Sequence, residues 1–500
     1  MEISVLVLLV ISIAAILYFL RNASGKRQHN DQPAAASQSA SMTDAVNNQY
    51  PPAHSSDHKQ LIIHQDEHNI PRRHLNDAAM KVAYHLQDEG YEGYLVGGCI
   101  RDLLLNKRPK DFDVATNAHP EEAHELFRRS RLIGRRFKLL HVRFGRDLIE
   151  VATFRASHDS KQDNSDGEHG RQNDSGMIVR DNVYGTIEDD ALRRDFTVNA
   201  LYYCPRDHSI HDFAGGYTDL KNKVLRMIGE PDARYREDPV RMLRAARFAA
   251  KLDFDIEPAT AEPIQRLAPL LKDIAPARMF DEALKIFQSG HGVASLEQTR
   301  HYGLFEQLFQ QTEAALNNPQ GMPVETLINN ALSNTDRRLQ QGKSVTPAFL
   351  FAAFLWYPMA QRMQQLQDED GMHPLPALHE AANQVIAAQV RQTAIPRRFS
   401  TPIREIWELQ LRLSRRQGKR ADRLMEHPRF RAAYDLLVLR ENSGENLDGL
   451  GEWWTRYQDS NPGNRMEMNK EASSDDAPKR RRRRRRPSKS KQQQPQPQND

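Results

Sequence analysis

The sequence predicts an α+β protein with a small head domain built around a sheet, followed by mostly helical neck and body domains, with disordered termini. Three observations indicate this class. Apolar residues alternate between helical and strand spacing from Leu75 to Phe154, helical spacing prevails in the C-terminal half, and both ends of the chain are polar or irregular. With 500 residues, of which 39% are hydrophobic, the chain is long enough for two to four domains.

The N-terminus contains an uncharged apolar run from Ile3 to Leu20, and its 18 residues are close to the roughly 20 that a helix needs to cross a bilayer. Glu2 precedes the run and Arg21 follows it, which is unlike a secretory signal and keeps the C-terminal side in the cytoplasm. We therefore predict that residues 1–22 anchor a cytoplasmic enzyme to the inner membrane through residues 3–20. The alternative is an upstream start codon that adds residues the working protein lacks.

Residues 23–71 are rich in Gln, Ser, Ala, Asn and His and have few large apolar side chains, so we predict a flexible linker. The two cysteines, Cys99 and Cys204, are too few for a disulfide framework and indicate a reducing compartment. The remaining boundaries follow shifts in composition and periodicity. The predicted domains are a head (72–220), a helical neck (221–315), an arginine-rich helical body (316–455) and a disordered basic tail (456–500).

Within the head, helices and strands are predicted to alternate around one small sheet. A polar stretch after the last of these strands, residues 157–174, is predicted to be a mobile loop at the mouth of the candidate site described below. In order, the predicted elements are a helix (75–86), a strand (94–96), a helix (120–129), a hairpin (140–144 with 148–154) and the loop (157–174).

A glycine turn follows the first strand. Gly97 and Gly98 let backbone N–H groups approach phosphate oxygens, and the helix that begins at Ile100 directs its positive end at the same place. Arg101 adds a permanent forked charge. This turn predicts a binding site for nucleotide phosphates.

Two carboxylates in an Asp-x-Asp pattern come next. Asp111 and Asp113 would share one face of an extended strand, and paired carboxylates are good ligands for Mg²⁺. Two such ions roughly 4 Å apart can activate a hydroxyl and hold a departing pyrophosphate. Glu150 is predicted to point to one face of the same sheet, either as a third acid near the metals or as a partner of an arginine such as Arg155.

Two further motifs carry acids beside arginines. Arg193-Arg194-Asp195 can neutralise a triphosphate while its carboxylate approaches the metals or orients an arginine. The alternative is an ordinary ion pair on a helix surface.

Asp238 and Arg241 lie three residues apart at the start of a helix and can present an acceptor and a donor together. Adenine offers the complementary donor and acceptor, so the pair predicts a site that selects a nucleotide without a template. A capped helix with an intrahelical salt bridge is the alternative.

These motifs, in this order, resemble those of the class II template-independent nucleotidyltransferases, which comprise bacterial poly(A) polymerases and CCA-adding tRNA nucleotidyltransferases. The resemblance implies a polymerase-beta-like head, a helical neck and helical RNA-binding parts. It implies Asp111, Asp113 and Asp195 as catalytic residues, with two Mg²⁺ on Asp111 and Asp113 and ATP as the substrate. The implied nucleotide contacts are Gly97, Gly98, Arg101, Arg194, Asp238, Arg241 and Arg244.

Residues outside the shared motifs favour the poly(A) polymerase branch. The segments 134–141, 349–358 and 414–420 resemble the corresponding parts of that enzyme. The resemblance therefore implies transfer of AMP from ATP to RNA 3′ hydroxyls, which promotes RNA turnover in bacteria. The rivals are a CCA-adding enzyme and an RNA-binding adaptor with an inactive nucleotidyl site.

The C-terminal half contains arginines in polar surroundings that suit contacts with RNA phosphates. The predicted contacts are Arg397, Arg398, Arg415, Arg416, Lys419 and Arg420. The tail holds ten cations between Lys479 and Lys491, and without them the net charge of +4 becomes −6. We predict that the tail binds RNA or anionic lipid. RNA-degradation proteins are further candidate partners, and the protein is predicted to be a monomer.

Overall fold

The structure, a computed structural model, describes residues 60–134, 138–156, 170–172, 178–181, 183–416 and 419–475. The predicted anchor, residues 3–20, lies outside these ranges, as do most of the predicted linker and the cationic run of the tail. In the part of the chain that is described, no helix combines the length and apolar character needed to cross a membrane.

The head is built on an eight-stranded sheet with the strand order β1-β10-β9-β2-β3-β6-β5-β4. Its neighbouring strands are antiparallel, except that β3 and β6 run parallel. The strands are β1 (Leu61–Ile63), β2 (Tyr94–Val96), β3 (Asp113–Thr116), β4 (Ser130–Ile133), β5 (Leu139–Phe144), β6 (Asp147–Thr153), β9 (Leu201–Tyr203) and β10 (Ile210–Asp212). Two small ribbons pair β7 (Gly170–Gln172) with β8 (Ile178–Asp181) and β11 (Val224–Leu225) with β12 (Asp255–Ile256).

Helices connect the strands of the sheet. Those of the head are α1 (Gln65–His68), α2 (Asp77–Asp88), α3 (Gly98–Leu104), α4 (Pro120–Leu126), α5 (Ile187–Leu192) and α6 (Gly216–Lys221). Most of them pack on one face of the sheet, whereas α5 contributes Ala191 to the opposite face. Leu95, Val114 and Val151 lie in register on neighbouring strands, and they pack in one core with the buried side chains of α2 and α3. The alternate residues, including Val96 and Tyr202, form a smaller core on the opposite face.

All remaining described helices form the neck and body. They are α7 (Pro231–Glu237), α8 (Val240–Leu252), α9 (Pro258–Leu267), α10 (Pro276–Phe287), α11 (Gly292–His301), α12 (Leu304–Leu308), α13 (Gln310–Asn317), α14 (Val324–Gln340), α15 (Pro347–Phe354), α16 (Trp356–Asp368), α17 (Pro374–Gln392), α18 (Arg397–Leu413), α19 (Arg420–Met425), α20 (Phe430–Asn442), α21 (Leu450–Asp459) and α22 (Pro462–Asp475). One apolar core runs from Phe196 and Val198 of the head through α8 to Leu439 of α20. The predicted α+β class is confirmed.

Two predicted boundaries are wrong. The linker predicted for 23–71 ends earlier, because Leu61–Ile63 pair with β10 and Ile63 is buried. The disordered tail predicted from 456 also begins too early, because α22 packs back on α21: Asn469 Nδ2 donates to Tyr457 Oη at 2.9 Å, and Arg465 Nε donates to the Tyr457 carbonyl at 2.9 Å. Within the predicted loop 157–174, residues 170–172 form β7.

The close contact of α6 with the residues that follow Asp195 depends on a glycine. A Cβ atom built on Gly216 would lie 2.1 Å from the Thr197 carbonyl oxygen. We expect Gly216→Ala to destabilise the protein by about 2 kcal/mol or more, because backbone must move on one side of this contact. Thermal unfolding measures the effect. Gly463→Ala is the control, since its nearest new contact is at 3.4 Å, and equal melting of both variants would contradict the prediction.

Candidate active site

The glycine turn between β2 and α3 forms as the sequence predicts. Gly97 has φ +80 and precedes the first residue of α3, a conformation that favours glycine. A Cβ on Gly97 would lie 3.3 Å from Arg194 Nη1, and one on Gly98 would lie 3.5 Å from Arg101 Nη2. The two glycines therefore allow two guanidinium groups to lie close to the backbone of the turn.

Arg101 is buried and its donors are in use. Its Nε and Nη2 donate to Asp102 Oδ1 at 2.8 and 2.5 Å, and its Nη1 donates to Asn199 Oδ1 at 2.6 Å. The guanidinium also lies 5.2 Å from the ring centroid of Phe248 on α8. Arg101 thus links the turn to Asn199 and to the neck, and its contact with a nucleotide phosphate stays a prediction.

The sheet brings Asp113 and Glu150 side by side. Asp113 pairs with Glu150 across the parallel strands β3 and β6, and Glu150 pairs in turn with His141 on β5. The ring nitrogen Nε2 of His141 lies 3.2 Å from Glu150 Oε1. Because paired residues share a face, Asp113, Glu150 and His141 lie in one row.

Asp111 is exposed and lies two residues before β3 begins, so the strand does not carry both carboxylates as the sequence predicted. The reason is the register of β2: Val96 opposes Asp113, and after Val96 the chain turns at Gly97 into α3. No residue of β2 is left to pair with Phe112 or Asp111. The two carboxylates are nevertheless near enough for the charge of Asp111 to affect Asp113.

Negative charge is in excess around Asp113. Burial, together with the charges of Glu150 and Asp111, raises the pKa of its carboxyl to about 6, and Arg194 only partly offsets these effects. Hard carboxylate oxygens in excess are the donor set that a divalent cation such as Mg²⁺ prefers. Among the described residues, no three His, Cys, Asp or Glu side chains are already grouped as a metal site. The negative charge and the carboxylate oxygens near Asp113 therefore fit a divalent cation, whereas the described side chains are not grouped in the arrangement of a metal site.

Asp195 joins the head to the neck. Its Oδ2 accepts from Arg244 Nε of α8 at 2.6 Å, and its Oδ1 accepts from Asn199 Nδ2 at 3.1 Å and from the Phe196 amide at 2.9 Å. Burial alone would raise the pKa of Asp195. The Arg244 charge and the donated hydrogen bonds outweigh burial and hold this pKa at about 2, so the carboxylate stays ionised.

Arg194 is fixed by a different acid. Its Nη2 donates to Asp190 Oδ2 at 3.0 Å, and its Nε donates to Tyr202 Oη at 2.9 Å. Tyr202 Oη donates to the same oxygen of Asp190 at 2.7 Å. Burial opposes ionisation of Asp190, but Arg194 and Tyr202 hold the pKa of Asp190 below its usual value. A quarter of the Arg194 side chain remains exposed beside Gly97.

The predicted base-reading pair lies where α7 meets α8. Asp238 Oδ2 accepts from Arg278 Nη2 of α10 at 2.6 Å, and Arg241 Nη1 donates to Glu237 Oε2 at 2.7 Å. Asp238 is therefore oriented by Arg278, and Arg241 by Glu237. The alternative interpretation, a salt bridge between Asp238 and Arg241 themselves, is not formed among the described residues. Both side chains are partly exposed.

The predicted RNA-binding residues fall into two groups at opposite ends of α18. Arg397 and Arg398 begin this helix, whereas Arg415, Arg416, Lys419 and Arg420 follow its last residue. Its 17 residues separate the two ends by roughly 24 Å, at about 1.5 Å per residue. Arg416 lies over the ring of Trp453, 5.4 Å from its centroid.

Several residues that organise the site were not assigned from the sequence. Asn199 links Arg101 to Asp195, and Asp190 and Tyr202 fix Arg194. The spacing of Asp190 and Arg194, one helical turn apart, was a usable signal. Arg278 lies forty residues from its partner Asp238, and no local pattern identifies it.

Comparison with known families gives three matches along the chain. Residues 93–226 match the model described as the poly A polymerase head domain. Residues 253–316 match a probable RNA- and SrmB-binding site of polymerase A, and residues 370–488 match the polymerase A arginine-rich C-terminus.

Similar proteins of two kinds were found. Poly(A) polymerase I of Salmonella typhimurium is 51% identical over 423 residues, which cover 84% of this chain and 90% of that protein. The CC-adding tRNA nucleotidyltransferase of Halalkalibacterium halodurans is 37% identical over 212 residues, which cover 42% of this chain and 48% of that protein. A solved tRNA-processing enzyme in an apo form matches with a TM-score of 0.49 at 20% identity, covering 81% of this chain and 97% of that one.

Proposed function

Because this chain belongs to the poly(A) polymerase family of nucleotidyltransferases, we propose that it adds AMP from ATP to the 3′ hydroxyl of RNA and releases pyrophosphate. In this reaction the 3′ oxygen forms a bond to the α-phosphorus, the bond from that phosphorus to the bridging oxygen breaks, and the hydroxyl proton is released. The observation that carries the proposal is the cluster of Asp113 and Glu150, whose excess negative charge adjoins Arg194 and the glycine turn.

Two Mg²⁺ ions would be held chiefly by Asp111 and Asp113, with Glu150 as a further candidate ligand. When bound, such ions supply charge stabilisation at the reacting phosphate and activate the hydroxyl. The raised pKa of Asp113 favours this assignment, because a carboxylate in a negative surrounding gains most from a cation.

The other site residues act on orientation and charge. Asp195 holds Arg244 and Asn199, and Asn199 holds Arg101, so head and neck keep one arrangement around the triphosphate. Arg194, partly exposed beside Gly97, is the guanidinium best placed for a phosphate contact. The arginines at both ends of α18 would hold the RNA by its phosphates, without regard to sequence.

The direct test is incorporation of each of the four nucleoside triphosphates on one unstructured RNA by the purified full-length protein with Mg²⁺. We expect long tails with ATP alone. Repair of tRNA ends with CTP and ATP, without tail synthesis, would identify a CCA-adding enzyme instead. A nucleotidyl-inactive adaptor is the outcome if RNA is bound but no triphosphate is incorporated.

Asp238 and Arg241 are expected to select the base by its pattern of donors and acceptors. Adenine and cytosine each present an amino donor beside a ring acceptor, whereas guanine and uracil present a carbonyl acceptor beside a ring donor. Asp238 would accept from the amino group and Arg241 would donate to the ring nitrogen. The pair can therefore exclude GTP and UTP, but it cannot separate ATP from CTP.

We expect Asp238→Asn to lower the preference for ATP over GTP by about tenfold or more, since an amide can also donate to the guanine carbonyl. The ratio of kcat/KM for the two triphosphates on one RNA measures this. Asp232→Asn is the matched control, because Asp232 pairs with Arg236 of the same helix and with Arg266 of α9, whereas Asp238 pairs with Arg278. An unchanged ratio in folded Asp238→Asn would contradict this role.

A tether to the membrane through residues 3–20 is also part of the proposal, and the uncharged apolar run followed by Arg21 supports it. Fractionation of cells that express the protein with and without residues 1–22 tests it. Recovery of both forms in the same fraction would remove the tether from the proposal.

A further inference from the structure

A cavity of about 420 Å³ lies in the helical body, between α14, α15, α18 and α20. None of its lining residues comes from the head, from the neck helix α8 or from any motif of the candidate active site. Its volume is within the range of ligand sites, roughly 300 to 1,000 Å³. The argument for its ligand rests on six of the lining residues: Arg338, Phe349, Arg398, Phe399, Arg429 and Arg431.

The charge of the cavity is strongly positive. Four arginines line it, against one carboxylate, that of Asp435. Arg431 Nε lies 3.0 Å from Asp435 Oδ1, and Arg429 Nε lies 2.9 Å from Glu405 Oε2. These two guanidinium groups therefore already have carboxylate partners, although both side chains remain substantially exposed.

The other two arginines are available to an anion. Among the described residues, Arg338 Nη2 donates to the Ser344 carbonyl at 3.3 Å and its charge also acts on Asp435, whereas the Arg398 guanidinium lies over the Phe399 ring, 4.9 Å from its centroid. Both side chains are exposed, and no ion pair joins either of them to a carboxylate in the part of the chain that the structure describes. Two fixed cations at one rim are the complement of a phosphate.

The cavity also has an aromatic wall. Phe399 is stacked on Phe280, with ring centroids 5.9 Å apart and an interplanar angle of 27°. Phe349 is only partly buried and packs against the edge of the body core, and its ring contacts no other aromatic ring among the described residues. A flat apolar group can therefore lie against Phe349 while a group attached to it reaches Arg338 or Arg398.

We propose that this cavity binds a nucleotide of the RNA strand, with its base against Phe349 and its phosphate on Arg338 and Arg398. Stacking of bases on aromatic side chains beside a basic groove is the general way in which proteins bind single strands without regard to sequence. A simple anion would gain nothing from the aromatic wall, and an apolar ligand would gain nothing from the four arginines. The proposal rests on RNA being the substrate, and it adds a binding site in the body to the active site of the head.

The test is fluorescence anisotropy of labelled oligo(A) with the full-length protein, without ATP and without divalent ions, so that binding is measured apart from catalysis. Phe349→Leu keeps an apolar group of similar size and removes the ring. We expect it to weaken oligo(A) binding by about tenfold, with an unchanged salt dependence, because a stacked base contributes about 1 to 3 kcal/mol.

The double variant Arg338→Gln/Arg398→Gln is expected to weaken binding and to reduce the slope of log K against log salt by about 0.7, the value for one phosphate contact on a single strand. Both positions are exposed, so this variant tests the proposal even if Phe349→Leu melts early. Arg362→Gln is the matched control, because Arg362 is a partly exposed arginine of the same body that donates to Gln384 and does not line the cavity.

Competition separates the sources of the nucleotide. We expect unlabelled oligo(A) to displace the label, and AMP to do so poorly. AMP binding that is lost in Phe349→Leu, with oligo(A) affinity unchanged in that variant, would assign the cavity to free nucleotides and overturn the RNA assignment. Polyglutamate that competes as well as oligo(A) would indicate an acidic protein partner instead. Binding by both variants equal to wild type would refute the site, whereas failure of wild type to make tails would refute the proposed reaction only.

Discussion

Replacing Asp113 with asparagine is expected to abolish AMP incorporation and at the same time to stabilise the fold. The loss of activity should reach at least about 1,000-fold, because the proposed metal ligand loses its charge and the excess of negative charge that favours a cation is reduced. The gain in stability follows from the position of Asp113, where burial and the charges of Glu150 and Asp111 disfavour the ionised carboxyl.

The sign of the stability change is fixed by the raised pKa. A carboxyl whose pKa is about 6 in the folded protein and 3.8 when unfolded favours the folded state below pH 3.8, and this advantage is lost as the pH rises through 6. At pH 8 the wild type therefore carries the full cost of ionising this carboxyl, and Asp113→Asn removes that cost, for a gain of about 3 kcal/mol.

Urea titration at pH 8 without divalent ions measures the stability, and radiolabelled ATP measures incorporation. Asp147→Asn is the control, because Asp147 is the exposed first residue of β6, and its substitution should leave both unchanged. An Asp113→Asn protein that is less stable than wild type would show that Asp113 is a structural acid with favourable partners. One that retains activity would remove it from the catalytic centre.

Asp195→Asn is expected to cost both activity and stability. The substitution leaves Arg244 without its carboxylate partner in a mostly buried place, and removal of one member of a buried ion pair typically costs about 3 kcal/mol. Activity should fall by about 100-fold or more, because Asn199, Arg101 and the glycine turn lose a common support.

The pH dependence of this pair is opposite to that of Asp113. The pKa of Asp195 is lowered to about 2 from 3.8, so its contribution to stability is present above pH 3.8 and is lost as the pH falls through 2. Wild type and Asp195→Asn should therefore differ most at neutral pH and converge between pH 4 and 2. Asp253→Asn, which removes an exposed ion pair with Lys223 at 3.9 Å, should melt like wild type at every pH. A constant difference between wild type and Asp195→Asn over the acid range would contradict the assigned ionisation.

The sequence predicted several elements of the head, because these elements depend on local patterns. Periodicity predicted α2, β2 and the β5–β6 hairpin, and the glycine turn formed where Gly97 and Gly98 required it. The sequence left open whether Glu150 lies beside the metal-binding acids or pairs with an arginine. The choice depends on the register between strands that are distant in the sequence, which pairs Asp113 with Glu150.

What could not be predicted was decided by tertiary contacts. Asp111 leaves the strand because β2 ends at Val96, and Arg101 is buried because Asn199 and Phe248 reach it from other segments. Arg278 orients Asp238 from a separate helix. Composition alone also placed the end of the linker and the start of the tail wrongly. In both places a polar segment is ordered by a tertiary contact, the pairing of β1 with β10 or the packing of α22 on α21.

The pairing of β1 with β10 has a consequence for how the head is made and handled. Leu61 lies opposite Asp212, so during synthesis β1 must wait for about 150 further residues before its partner leaves the ribosome. Until then β1 has no partner strand in the sheet. A fragment that begins at residue 72 would keep every motif of the site and yet present β10 as a free sheet edge, open to pairing with another copy of itself. Aggregation, rather than loss of a catalytic group, would be the first defect of such a fragment.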